Sequence, residues 1–200
     1  MIIDVFPTPV YRNELIVTQS FDHIQFYQTD NSYQSCSNDV LSLYPQLKQQ
    51  LQQHVDQYTQ QLGYTSSLSI TTSWLNKHHQ FHYAQQHVHA NSIVSGVLFI
   101  TIPDDSGLFV INKQPNITHD LFTVHVKMDT DTITPYNTDT FNVVPQENIL
   151  LLFPSSLPHL VTPNRSTHQR LTLAFNTFIN STVQQHTISE LNASIATDSQ

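Results

Sequence analysis

From Gly63 onward the chain reads as a series of short β-type runs, and no second helical stripe separates them. The candidate strands are 67–75, 81–89, 93–102, 108–111, 121–127, 140–144, 149–153, 159–161 and 170–178. Turn-like pieces such as Pro103-Asp104-Asp105-Ser106-Gly107 and Pro163-Asn164-Arg165-Ser166 punctuate them. Strands that follow one another without intervening helices cannot build a parallel α/β sheet, so the pattern predicts a mainly β sandwich or jelly roll. One helix precedes the strands. Val40, Tyr44, Leu47, Leu51, Val55, Tyr58 and Leu62 recur at the three- and four-residue spacing of a single apolar stripe. Pro45 suits a first turn and Gly63 a C-terminal stop, so one long N-terminal helix over 45–62 is expected to pack on the sheet. The opening Val5-Phe6-Pro7-Thr8-Pro9-Val10-Tyr11 reads as extended, because proline fixes φ and disfavours helix.

The 200 residues suit a single domain, expected over 1–179, followed by a polar tail over 180–200. Between about 113 and 139 the pattern is least legible, and an insert near a pocket mouth is expected there. Only seven Lys and Arg stand against fifteen Asp and Glu, giving a net charge of −8. Nucleic acid is therefore not an expected partner, since a phosphate backbone needs clustered cations. Cys36 is the only cysteine, which removes intrachain disulfides and thiolate metal clusters and fits a reducing cytoplasm. The first residues lack the basic start and apolar stretch of a signal peptide, and no run has membrane-spanning length. A cytoplasmic protein without membrane contact is expected, in a host cytoplasm if a phage encodes it.

Five of the twelve histidines lie between His78 and His89. His87 and His89 flank Val88 in a candidate strand, and side chains two apart on a strand point to one face, so both imidazoles could reach one ion. Alone this is a weak signal, because strand histidines are often simply hydrogen-bonded. A second feature strengthens it. The apolar run Ile149-Leu150-Leu151-Leu152-Phe153-Pro154 leads through a turn to Pro158-His159, which would hold His159 rigidly at a barrel mouth. Farther on, alternation places Arg170, Thr172 and Ala174 on one strand face and Leu171, Leu173 and Phe175 on the other. An arginine facing a sandwich interior is costly unless it meets an anion. A dicarboxylate would supply one for its planar fork.

Together, Ser73-Trp74-Leu75-Asn76, His87-Val88-His89-Ala90-Asn91-Ser92, Ser95-Gly96-Val97-Leu98-Phe99-Ile100, Phe153-Pro154-Ser155 with His159, and Arg170-x-Thr172 with Phe175-Asn176 resemble the 2-oxoglutarate and Fe(II) oxygenases of bacteria and tailed bacteriophages. The opening Phe6-Pro7-Thr8-Pro9-Val10 resembles that family's start, so the resemblance spans roughly residues 5–178. It implies a double-stranded β-helix with iron at one open end. His87 and His159 would be ligands, Arg170 would pair with the far carboxylate of 2-oxoglutarate, Thr172 would be its hydroxyl partner, and Asn76 a further contact. It also implies decarboxylation of 2-oxoglutarate to succinate coupled to hydroxylation of a C–H bond. The primary substrate, peptidyl or small, is not readable, and neither is the oligomeric state.

The sequence departs from the family at His89. The usual facial triad is two His and one carboxylate, and here a third imidazole stands in the carboxylate's place. His89 is read as a ligand, the alternative being a ligand set completed by a nearby Asp or solvent. Val97, Phe99, Leu152 and Phe175 are read as apolar walls, Trp74 as core, and His78, His79 and His82 as solvated loop positions. Two rival readings stay open: a cupin-like three-histidine metal protein that needs no 2-oxoglutarate, and a non-catalytic jelly-roll binding or structural protein. Ser92-Ile93-Val94 stands where the cupin pattern wants a glutamate, which counts against the first.

Overall fold

A computed structural model describes residues 2–4, 6–113 and 131–180. Strands β1 (Tyr11–Glu14), β2 (Phe26–Gln28) and β3 (Tyr33–Ser35) precede helix α1 (Pro45–Gln61). Then follow β4 (Leu68–His78), β5 (Ala84–His87), β6 (Val94–Thr101), β7 (Phe109–Asn112), β8 (Thr140–Val143), β9 (Ile149–Pro154), β10 (His159–Val161) and β11 (Arg170–Ile179). They form a seven-stranded sheet ordered β1-β9-β6-β11-β4-β3-β2 and a four-stranded sheet ordered β5-β10-β7-β8, all named pairings being antiparallel. The fold is the expected double-stranded β-helix, or jelly roll.

Helix α1 starts on Pro45 and stops before Gly63, whose φ of +80° suits a residue without Cβ. Its stripe of Leu47, Leu51, Val55 and Tyr58 is buried against Leu75, Leu98, Leu150, Leu152, Leu173 and Phe175 on the outer face of the large sheet. A second apolar cluster lies between the sheets, where Val97, Phe99, Ile149, Leu151 and Phe153 meet Phe109 and Ile111. Strand alternation keeps the two clusters apart. It also corrects the expected pocket wall: Val97 and Phe99 face the inter-sheet layer, whereas Leu152 and Phe175 belong to the core under the helix.

The strand expected over 81–89 is shorter, ending at His87. In contrast, β4 runs on to His78 because its register with β11 continues to the pair Arg170↔His78. The strand expected over 121–127 and the 180–200 tail lie outside the described residues, apart from Asn180. Residues 131–139 are irregular backbone with a turn at 135–137. Among the described residues, no helix is long and apolar enough to cross a membrane.

Gly96 locks β6 to β11. A Cβ there would lie 2.2 Å from the Phe175 ring, which is itself fully buried. Gly96→Ala is expected to destabilise the fold by about 1–3 kcal/mol, the usual cost of overpacking a tight core. Chemical denaturation would read it as a lower midpoint, and an unchanged midpoint would mean the Phe175 ring moves freely.

Candidate metal centre and anion pocket

The short pairing between β10 and its neighbours builds the centre. His159 lies directly across from His87 on β5 and from Ile111 on β7, so His87 and His159 share a face, with ring centroids 4.3 Å apart. His89 lies just past the strand end, yet its backbone N–H donates to the Ser155 carbonyl at 2.9 Å, and this bends its ring back toward the pair. The ligand-capable nitrogens of His87, His89 and His159 all lie within 4.8 Å of one another. Among the described residues this cluster contains no carboxylate.

Hydrogen bonding fixes how the rings are used. His159 Nδ1 lies 2.9 Å from the Leu157 carbonyl, and His87 Nδ1 lies 2.8 Å from the Gln85 carbonyl. A carbonyl only accepts, so each Nδ1 carries the proton and each Nε2 presents a lone pair. The His89 and His159 Nε2 atoms are 3.2 Å apart, on rings only 2° from parallel. Two nitrogens about 2.1 Å from one ion, at right angles to each other, would lie about 3.0 Å apart. The observed spacing therefore matches adjacent ligands of one cation. His89 would serve as a ligand through Nε2 in the tautomer that carries its proton on Nδ1.

Burial keeps the His89 and His159 rings neutral, the form that binds metal. Desolvation, with a smaller contribution from His87, pushes His89 down to about 4. Desolvation also pushes His159 down to about 3, against the opposing bond to Leu157, with His87 and His89 adding smaller effects. Phe109 and Phe153 pack on the His159 ring at centroid distances of 5.3 and 4.8 Å and keep water from one side of it. Trp74 is half-buried and its ring lies tilted against His89, with centroids 5.6 Å apart. It is a wall of the centre, not the core residue expected.

Arg170 is the largest fully buried side chain, with 1% of its surface exposed. Its Nη1 donates one long bond, 3.3 Å, to the Ser106 carbonyl, and its Nε has no partner. Gly107, at a φ of +84°, makes that loop possible, since a Cβ there would lie 2.5 Å from the Thr162 carbonyl. The guanidinium sits 5.5 Å from the Phe99 ring centroid. Burial lowers its pKa only to about 10, so it stays charged at neutral pH. In register beside it, Thr172 pairs with Asn76 and Arg170 with His78, and these four share the face that carries Phe99. Thr172 is buried and Asn76 half-buried. A run of ring contacts through Phe109 and Phe99 joins this polar patch to His159.

His78 departs from the loop position expected of it. It is 4% exposed, and neither ring nitrogen has a partner. Its pKa falls to about 4 by desolvation, with smaller effects from Arg170 and His82. Above pH 6.5 the ring is neutral in the folded and the unfolded chain alike. Between pH 6.5 and 4 only the unfolded chain takes up the proton, so stability is lost as pH falls through that window, by up to about 3 kcal/mol. Urea unfolding of the metal-free protein at pH 7 and pH 4.5 should show a smaller loss for His78→Gln than for wild type. Equal losses would contradict this. His79 is exposed and His82 partly so, as expected, while His119, His125 and His186 lie outside the described residues.

The profile of the family described as "Putative 2OG-Fe(II) oxygenase" matches residues 72–176, which include every residue of the centre and of the polar patch. The chain belongs to the 2OG-Fe(II) oxygenase family. It is therefore an oxygenase that works with Fe(II) and the co-substrate 2-oxoglutarate, and the cupin-like and structural readings fall away. No curated protein matches the chain. Among solved structures, an oxidoreductase of the 2OG-Fe(II) oxygenase family from Burkholderia pseudomallei aligns with a TM-score of 0.54 at 12% identity, over 78% of this chain and 72% of that one. HygX from Streptomyces hygroscopicus, with nickel, 2-oxoglutarate and hygromycin B bound, aligns with a TM-score of 0.54 at 10% identity, over 85% and 82%. The epimerase SnoN, in complex with Fe3+, α-ketoglutarate and nogalamycin RO, gives 0.58 at 9% identity, over 89% and 82%. At these identities the likeness is one of fold.

The oxygenase's donor set fits the groups its family requires. Three imidazoles whose nitrogens converge within 4.8 Å suit Fe(II), and a buried guanidinium with an unpartnered Nε suits a carboxylate.

Proposed function

We propose that His87, His89 and His159 hold one Fe(II), and that Arg170, with Thr172 and Asn76 beside it, receives the distal carboxylate of 2-oxoglutarate in a hydroxylase reaction. The observation that carries this reading is Arg170, a cation buried between the sheets with an unpartnered Nε and no carboxylate paired with it among the described residues. A buried, unpaired charge costs several kcal/mol, and an arriving carboxylate removes that cost. The neighbours' bound 2-oxoglutarate, in HygX and SnoN, is consistent with it.

Three imidazoles add no negative charge to Fe(II), so one carboxylate of the dianionic co-substrate would face the metal while the other meets Arg170. Iron, when bound, supplies the redox centre at which O2 and 2-oxoglutarate are converted to succinate and CO2 while a substrate C–H bond becomes C–OH. The chain's own part is orientation and shielding. Arg170 fixes the co-substrate's far end, Phe99, Phe109 and Phe153 exclude water between the sheets, and Trp74 presents a flat face at the mouth. The substrate is a neutral or cationic small molecule or peptidyl side chain, in keeping with the net charge of −8. Exposed Cys36 stays a thiol in a reducing cytoplasm, where we place the protein.

Anaerobic addition of 2-oxoglutarate to the Fe(II) protein should raise a weak visible charge-transfer band. In air, 2-oxoglutarate labelled at its C1 carboxylate should release labelled CO2 slowly even without substrate. If neither signal appears in protein that binds Fe(II), the co-substrate assignment fails.

A further inference from the structure

Resting on the co-substrate reading above, we propose that His78 is a second recognition group for the distal carboxylate, acting beside Arg170 to select 2-oxo acids that carry one. The two residues face each other in register at the end of β4 and the start of β11. They are 4% and 1% exposed, and together they hold three buried nitrogens without a partner: both ring nitrogens of His78 and Arg170 Nε. Buried polar atoms are nearly always hydrogen-bonded, so three side by side mark a missing ligand.

A single water would not meet the need. It brings no charge to the Arg170 guanidinium, which is buried beside the Phe99 ring. A carboxylate brings two oxygens with about four acceptor positions and a full negative charge. One oxygen can take the Arg170 fork while the other takes a His78 N–H.

The backbone around His78 is tied down, as recognition requires. Asn164, 1% exposed, donates from Nδ2 to the carbonyls of His78 at 3.0 Å and of His168 at 2.9 Å. The Asn164 backbone N–H donates to the His82 carbonyl at 2.9 Å. The loop that leads into β11 is thus pinned to the end of β4, and the two side chains keep one relative position. His78 is a binding group for the co-substrate and has no part in holding the metal.

The test compares two 2-oxo acids on the full-length, Ni(II)-loaded chain: 2-oxoglutarate, which has the distal carboxylate, and pyruvate, which lacks it. Dissociation constants are measured for wild type, His78→Leu, His78→Gln and Arg170→Met. A hydrogen bond to a charged group is worth enough that His78→Leu should weaken 2-oxoglutarate about 10-fold or more. Pyruvate and Ni(II) affinities should stay within about twofold of wild type, since neither ligand meets a hydrogen bond from His78. His78→Gln, which keeps an N–H donor, should recover part of the loss, and it carries the comparison if the leucine variant does not fold. Equal weakening of both acids, or no weakening of either, overturns the role of His78. If Arg170→Met also leaves 2-oxoglutarate binding intact, the co-substrate reading itself has failed. If only the arginine variant loses binding, that reading stands and the His78 inference alone is wrong.

Discussion

Arg170→Met is expected to make the protein more stable and unable to bind its co-substrate. The guanidinium is buried with one long hydrogen bond and an unpartnered Nε. Replacing such a group by an apolar side chain of similar volume often stabilises by about 1–4 kcal/mol. For a chain of this length that corresponds to a rise in melting temperature of roughly 3–12 °C in the absence of 2-oxoglutarate. The affinity for 2-oxoglutarate should fall by at least about 100-fold, since a charge-assisted fork to a carboxylate is lost. Added 2-oxoglutarate should protect the wild type against melting and leave the variant unaffected, because only a ligand bound to the folded state raises its stability. A variant that is less stable than wild type would mean that Arg170 has a structural partner and is not held in reserve for a ligand.

The second large effect concerns the proposed metal ligands, whose different burial separates two consequences of removing them. His87 is exposed, and His159 is 3% exposed between Phe109 and Phe153. His87→Ala should therefore lower Fe(II) affinity about 100-fold or more with little change in metal-free stability. His159→Ala should lower affinity equally and also destabilise the metal-free fold by about 2–4 kcal/mol, because it leaves a cavity beside two aromatic rings. At a metal concentration 100 times its dissociation constant the wild type gains about 2.7 kcal/mol. Both variants should lose that gain, as thermal melts with and without Fe(II) under anaerobic conditions would show.

Helix α1 was legible because seven apolar residues repeat on one face without interruption, and the structure buries Leu47, Leu51, Val55 and Tyr58 from that stripe. The long strands β6, β9 and β11 were legible as runs rich in apolar residues, which the structure buries on both faces. Strands β1, β2 and β3 were not, because each is only three or four residues long; β1 and β3 pair with β9 and β4, distant in sequence, and β2 pairs with β3 across a short hairpin. His78 was misplaced because His79 and Gln80 after it look like loop. A signal was nevertheless there: Trp74, Asn76 and His78 continue one alternating face, as Arg170, Thr172 and Ala174 do on β11. Alternation on β11 likewise sets Phe175 opposite Arg170, which argues against a pocket role for it. His89 reached the centre for a reason that strand parity does not contain, namely the bond from its backbone to Ser155 beyond the end of β5.

X-ray absorption of the Fe(II) protein, prepared anaerobically, counts the imidazoles on the metal through their characteristic multiple scattering. Three imidazoles on one iron in the wild type, and two in His89→Ala, is the result that follows from the convergence of His87, His89 and His159. Two imidazoles in both proteins would show that His89 stands outside the coordination sphere and would contradict the three-histidine centre.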